Sequence, residues 1–150
     1  MAKNTKEGAL QTEALVHQTI IDIFMEHGWE AVTYGSIAKL TGLSRSGIQR
    51  IVPSKEAMGE AFQGQVFSYV FDKLDTSSPE AVVTSWLNAF DDPKFSNCIR
   101  YLVGAVHAED MGKRKAAKGL EKMSSLLGRK TTITLMGLSV VKLLDVDLVD

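Results

Sequence analysis

Apolar residues recur at helical spacing along most of the chain, and strand-like alternation is rare. Val16, Ile20, Ile23, Phe24 and His27 mark one face of a helix from about Thr12 to His27, with Glu13, Asp22 and Glu26 turned to water. The residues before it, 1 to about 9, are polar and read as a solvated tail carrying Lys3 and Lys6. Gly28 ends the helix, and Trp29 and Val32 fold towards a core. Two short helices follow. The first, Tyr34 to Thr41, has the Thr33 hydroxyl as its cap and places Ile37 and Leu40 inward with Ala38 beside them. Gly42 supplies the left-handed backbone that stops it, and Leu43 packs behind. Ser44 caps the second helix, Arg45 to Val52, which Pro53 ends. Ile48 and Ile51 form its narrow apolar stripe, so Arg45, Ser46, Gln49 and Arg50 point outward.

Beyond Ser54 the pattern predicts one longer helix to Asp75, with Ala57, Ala61, Phe62, Val66, Tyr69, Val70 and Leu74 as its apolar positions. Asp75 to Pro79 is a break. A helix opening near Glu80 carries Val82, Trp86 and Phe90 to a stop at Asp91–Pro93. Lys94 to about His107 is helical again, with Phe95, Cys98, Ile99, Leu102, Val103 and Val106 apolar. Glu109 to Gly112 reads as a bend before an amphipathic helix from Lys113 to Leu127, closed by Gly128. In the last segment, Thr131 to Val149, the first four residues have strand-like composition, yet Ile133, Met136, Val140 and Leu144 fit one helical face. Leu135, Leu138 and Val141 make a second face apolar, and a helix apolar on two sides needs two partners. A second copy of the chain is the simplest candidate. The expected fold is all-α: a three-helix, helix-turn-helix DNA-binding domain over residues 1–55, then a small helical bundle over 56–150 for dimerisation and ligand binding.

At 150 residues and 45% hydrophobic, the chain can bury a continuous core. One cysteine excludes an internal disulfide and offers no cysteine metal site. No stretch approaches a membrane helix and the opening residues lack a signal-like apolar run, so a soluble, cytoplasmic protein without a membrane partner is expected. The net charge of −1 argues against a generally polycationic nucleic-acid binder. Locally the balance differs. From Ala31 to Lys55 there is no acidic residue, whereas Lys39, Arg45, Arg50 and Lys55 are basic. Arginine can give guanine two hydrogen bonds and glutamine can do the same for adenine, while Ser46 and Gly47 are small enough for close approach to a groove. A helix-turn-helix that reads double-stranded DNA needs this arrangement.

The run GWEAVTYGSIAKLTGLSRSGIQRIVPSKEAM resembles the DNA-binding domain of the tetracycline-repressor (TetR) family of bacterial regulators. Gly28-Trp29, Thr33, Ile37-Ala38, Thr41-Gly42-Leu43-Ser44 and Pro53-Ser54-Lys55-Glu56-Ala57 stand in the register of the family pattern, over about residues 12 to 60. The chain departs from it at Gln49-Arg50-Ile51-Val52, where the family usually has a Tyr-His-His-Phe type run, so the resemblance implies no particular operator. It does imply a homodimeric transcription regulator, more often a repressor, whose last two helices (Lys113 to Leu144 here) form the dimer interface. Thr33, Tyr34, Ser44 and Lys55 would position the DNA backbone, and Arg45, Ser46, Gln49 and Arg50 would read or flank bases.

A small apolar effector is the remaining partner the resemblance implies. Phe62, Trp86, Phe90, Cys98 and Met123, with Met58, Met111 and Met136, could line its pocket, and core packing explains them equally well. His17, His27 and His107 are too scattered for a metal site. The basic run Lys113, Arg114, Lys115, Lys118 and Lys122 reads as the solvated face of an amphipathic helix. No nucleophile–base pair, phosphate loop or paired carboxylates stand out, so neither an enzyme nor a cofactor is expected. The rival reading is a helical protein-interaction module that keeps the helix-turn-helix shape without binding DNA.

Overall fold

The structure, a computed structural model, describes residues 6–149. Among these residues there are nine α-helices and no strand: α1 (Lys6–His27), α2 (Tyr34–Thr41), α3 (Arg45–Ile51), α4 (Lys55–Glu60), α5 (Gln63–Asp72), α6 (Pro79–Ala89), α7 (Pro93–Gly104), α8 (Asp110–Leu127) and α9 (Arg129–Leu143). The all-α expectation holds. The chain divides into two compact units, the first ending at Gln63 and the second beginning at Gly64.

In the first unit, Val16, Ile20, Ile23 and Phe24 of α1 are buried together with Ile37, Ile48, Val52, Met58 and Phe62. Each such side chain removed from water contributes about 1.5–3 kcal/mol. Phe24 and Phe62 stack with centroids 4.1 Å apart, and Trp29 meets Phe62 edge-on at 5.4 Å. Three expectations are corrected here. Residues 6–9 are helical rather than part of a tail, because α1 already runs from Lys6; Lys3 lies outside the described residues. His27 is exposed, since it ends α1 where the chain swings away at Gly28 (φ 89°). Leu40 is 66% exposed. Residues three apart differ by about 60° around a helix, and on so short a helix the buried strip centred on Ile37 is too narrow to include both.

The two-helix corner forms from local chemistry. Thr33 and Ser36 cap α2 reciprocally: the Thr33 Oγ1 accepts from the Ser36 amide and the Ser36 Oγ accepts from the Thr33 amide, each at 3.0 Å. Gly42 takes the left-handed conformation at φ 75°, and its amide closes the helix on the Ala38 carbonyl at 2.9 Å. The Ser44 Oγ then accepts from the Gly47 amide at 3.1 Å to start α3. The expected single helix to Asp75 is instead two. At Ala61 and Phe62 the amides bond three residues back, to Met58 and Gly59, so the backbone tightens out of α geometry. Gly59 and Gly64, poor helix formers, flank that point.

In the second unit, α6 and α7 each begin with proline at the first turn and a polar cap, Ser78 and Asp92. Both pack on α9, as does α8. Trp86 is fully buried, edge-on to Phe95 at 5.2 Å. Its indole Nε1–H donates to the Ser139 Oγ at 2.8 Å, and that hydroxyl donates to the Leu135 carbonyl at 2.6 Å. Asp92 accepts hydrogen bonds from the Tyr69 hydroxyl and, at 2.9 Å, from the Lys94 amide, with the Lys73 ammonium 3.2 Å away. Val106, expected on an apolar face, is exposed because α7 gives way to a 3₁₀ turn over Ala105–His107. Of the expected bend at Glu109–Gly112, only Glu109 lies outside the helix: α8 starts at Asp110, and a methyl group on Gly112 would lie only 2.7 Å from the Ala108 Cβ.

Helix α9 begins directly after Gly128 and takes in Thr131–Thr134, so packing overrides their strand-like composition. It stops at Leu143 rather than continuing to Val149. Asp145 adopts φ 54°, the Asp145 amide bonds the Lys142 carbonyl and the Val146 amide reaches the Val141 carbonyl, the paired closure of a left-handed helix end. Thr132, Leu135 and Ser139 form its buried side, while Ile133 (60%), Val140 (42%) and Leu144 (68%) are exposed, as is Leu126 at the end of α8.

Candidate nucleic-acid interface

Helix α3 carries the outward polar residues on a single buried anchor. Ile48 is fully buried and Ile51 partly so, and Arg45, Ser46, Gln49 and Arg50 are exposed around them. From Ala31 to Lys55 the chain carries four basic residues and no carboxylate, with Glu30 and Glu56 just outside that stretch. Arg45 is not a free-swinging side chain. A methyl group on Gly35 would come within 3.1 Å of its Nη2 and 3.8 Å of its Cζ, so the guanidinium rests across the first turn of α2 in space that glycine leaves open. Thr33 and Ser44 are exposed at the starts of α2 and α3, where helix amide groups and hydroxyls can meet a phosphate.

Tyr34 and Lys55 are placed differently. The Tyr34 hydroxyl donates to the Val52 carbonyl at 2.6 Å, tying the start of α2 to the end of α3. Lys55 lies in the first turn of α4, yet its side chain turns back. Its Nζ donates to the Val32 carbonyl and, at 3.2 Å, to the Trp29 carbonyl, and it sits 4.3 Å from the centroid of the Trp29 ring. Burial lowers its pKa from the ordinary lysine value, with the nearby Glu30 charge opposing that shift. Ser36, which the sequence reading passed over, completes the corner: its hydroxyl donates to the Ala31 carbonyl at 2.7 Å. A Thr-x-x-Ser spacing at a helix start was the available signal.

The side chains expected around an effector are distributed over both units. Phe62 belongs to the core of the first unit, stacked on Phe24. Trp86, Cys98 and Met123 are buried in the second unit, and Phe90 is half-buried, edge-on to Phe95 at 5.2 Å. Met58 is buried in the first unit, whereas Met111 is exposed and Met136 intermediate. Burial, aided by the charge of Asp92, pushes the Cys98 thiol up to about 12, so it stays protonated at neutral pH. The polar partner of Trp86, Ser139, gave no signal of its own in an apolar helix.

Along the basic run, Lys113, Arg114, Lys118 and Lys122 are exposed, and the Lys122 ammonium lies 4.2 Å from the Phe67 ring centroid. No helix of the described residues is long and apolar enough to cross a membrane. Comparison with curated proteins finds no match. A family profile, the tetracycline repressor LuxT C-terminal domain, does match, over residues 63–143, which is α5 through α9 and more than half of the chain. The motifs around the helix-turn-helix and this independent match over the second unit agree, and the chain belongs to the tetracycline-repressor family of regulators.

Proposed function

We propose that the protein is a sequence-specific, DNA-binding transcription regulator acting as a homodimer, and more precisely a repressor on the habit of its family. The observation that carries this reading is α3: an exposed face of Arg45, Ser46, Gln49 and Arg50 on a buried Ile48, within a stretch free of acidic residues. Arg45, Gln49 and Arg50 offer the donors and acceptors that distinguish base pairs in the major groove, and Thr33 and Ser44 hold phosphates. The apolar stripe of Ile133, Val140 and Leu144, with exposed Gly137 between them, supports pairing through α9 of two copies, with α8 contributing Leu126. Two-fold pairing places the recognition helices about 34–36 Å apart and makes the operator an approximate palindrome. An apolar effector would act on the second unit by displacing packed side chains, since Trp86, Cys98 and Met123 are each no more than 3% exposed.

Selection of bound fragments from genomic DNA across a salt series tests the proposal. A regulator keeps a few fragments at salt that strips the remainder, because base contacts survive when counterion release no longer drives binding. Uniform loss of every fragment would leave the interaction-module reading in its place.

A further inference from the structure

We infer that Lys55 and Tyr34 position the recognition helix from behind and do not touch DNA phosphates. The inference deepens the DNA-binding reading and rests on it for its consequence, though its geometry stands in the free protein.

The corner between α1 and α2 exposes a cluster of carbonyls. A 3₁₀ turn, Trp29–Ala31, ends there, and the end of such a turn is the negative pole of its backbone dipoles. The Ala31 carbonyl is met by Ser36, while those of Trp29 and Val32 take the Lys55 ammonium. A lysine in the first turn of a helix faces the helix's positive pole, which favours turning its charge elsewhere. Here it finds two carbonyls and the face of Trp29 across a gap of more than twenty residues in sequence. An ammonium has three donors, and these contacts use two of them.

The second strap lies three residues upstream. Tyr34 is joined to the Val52 carbonyl at the end of α3. Residues 52–55, which follow the recognition helix, are therefore fastened at both ends to residues 29–34, which precede and start α2. Between the straps Pro53 has no amide to offer and a fixed φ. The far end of α3 is thus set against α2 by two side chains, while Arg45 at its near end rests on Gly35. Losing a strap lets α3 swing relative to α2, which blurs base readout without removing a phosphate contact.

The test uses Lys55→Met, which keeps the apolar stem but loses the donors, Lys55→Arg as the conservative variant, and Tyr34→Phe, which removes one hydroxyl. In the DNA-free protein, positioning predicts faster amide hydrogen exchange across Arg45–Val52 in Lys55→Met and Tyr34→Phe, with Lys55→Arg restoring protection. Unchanged exchange would overturn the inference whatever the protein does with DNA. On DNA, positioning predicts that the preference for a selected fragment over random duplex falls about tenfold in both variants, with an unchanged salt slope. A slope shallower by about 0.9 in Lys55→Met, with selected and random duplex weakened alike, would mark Lys55 as a phosphate contact and overturn it. Failure of the wild-type chain to prefer any fragment would instead count against the DNA-binding reading, with the exchange result deciding the positioning claim on its own.

Discussion

Ser139 shows how much one hydroxyl can carry. It is fully buried, accepts a hydrogen bond from the Trp86 indole N–H and donates one to the Leu135 carbonyl, so both of its roles are used. Ser139→Ala would strand that N–H in the core, at a cost of about 1–3 kcal/mol in urea unfolding. The double change Trp86→Phe with Ser139→Ala should cost less than the sum of the singles, because it removes donor and acceptor together. Additive losses would show that the bond contributes nothing beyond packing. At the opposite extreme stands Leu40, a large apolar side chain left about two-thirds exposed to water. The difference between these residues is invisible at their own positions. Serine in an apolar helix and leucine in an amphipathic one acquire their roles from neighbours that sequence spacing does not identify.

Elements were more legible than contacts. The bounds of α2 and α3 follow from Thr33, Gly42 and Ser44 because caps act within four residues of themselves. The same locality made the outward set on α3 readable. The destinations of Lys55 and Tyr34 were not readable, since each depends on a tertiary approach across roughly twenty residues. The split between α4 and α5 and the early stop of α9 escaped for a related reason: a tightened turn and a left-handed aspartate leave little trace in apolar periodicity. Asp92 gives the element scale its own prediction. Burial pushes its carboxyl pKa up, but the hydrogen bonds from Tyr69, the Lys94 amide and Lys73 outweigh this and hold it below the ordinary 3.8. A depressed folded-state pKa means stability present above the unfolded value and lost as pH falls through the folded one. Wild-type and Asp92→Asn should therefore differ in unfolding midpoint at pH 7 and converge as the pH falls through the folded-state value, below the ordinary 3.8. A difference constant with pH would place the Asp92 contribution in its shape rather than its charge.

For the whole molecule, the proposed DNA-binding function calls for two copies, because one short helix reaches only one half-site. The apolar side chains of Ile133 and Val140 are exposed in the single chain, so lysine at both positions should leave helicity intact while shifting the protein from dimer to monomer in sedimentation. Persistence of the dimer would move the interface elsewhere. Charge bears on the same proposal: a net charge of −1 gives the chain no overall attraction to a polyanion, so on this reading affinity for DNA comes from the acid-free stretch around α3.

The most direct measurement compares wild type and Arg45→Ala on a fragment selected from genomic DNA and on its shuffled sequence, at matched salt. The account predicts a strong wild-type preference for the selected fragment, with Arg45→Ala losing about 1–3 kcal/mol on that fragment and far less on the shuffled one. Equal wild-type affinity for the two sequences, or an equal loss on both in the variant, would contradict it.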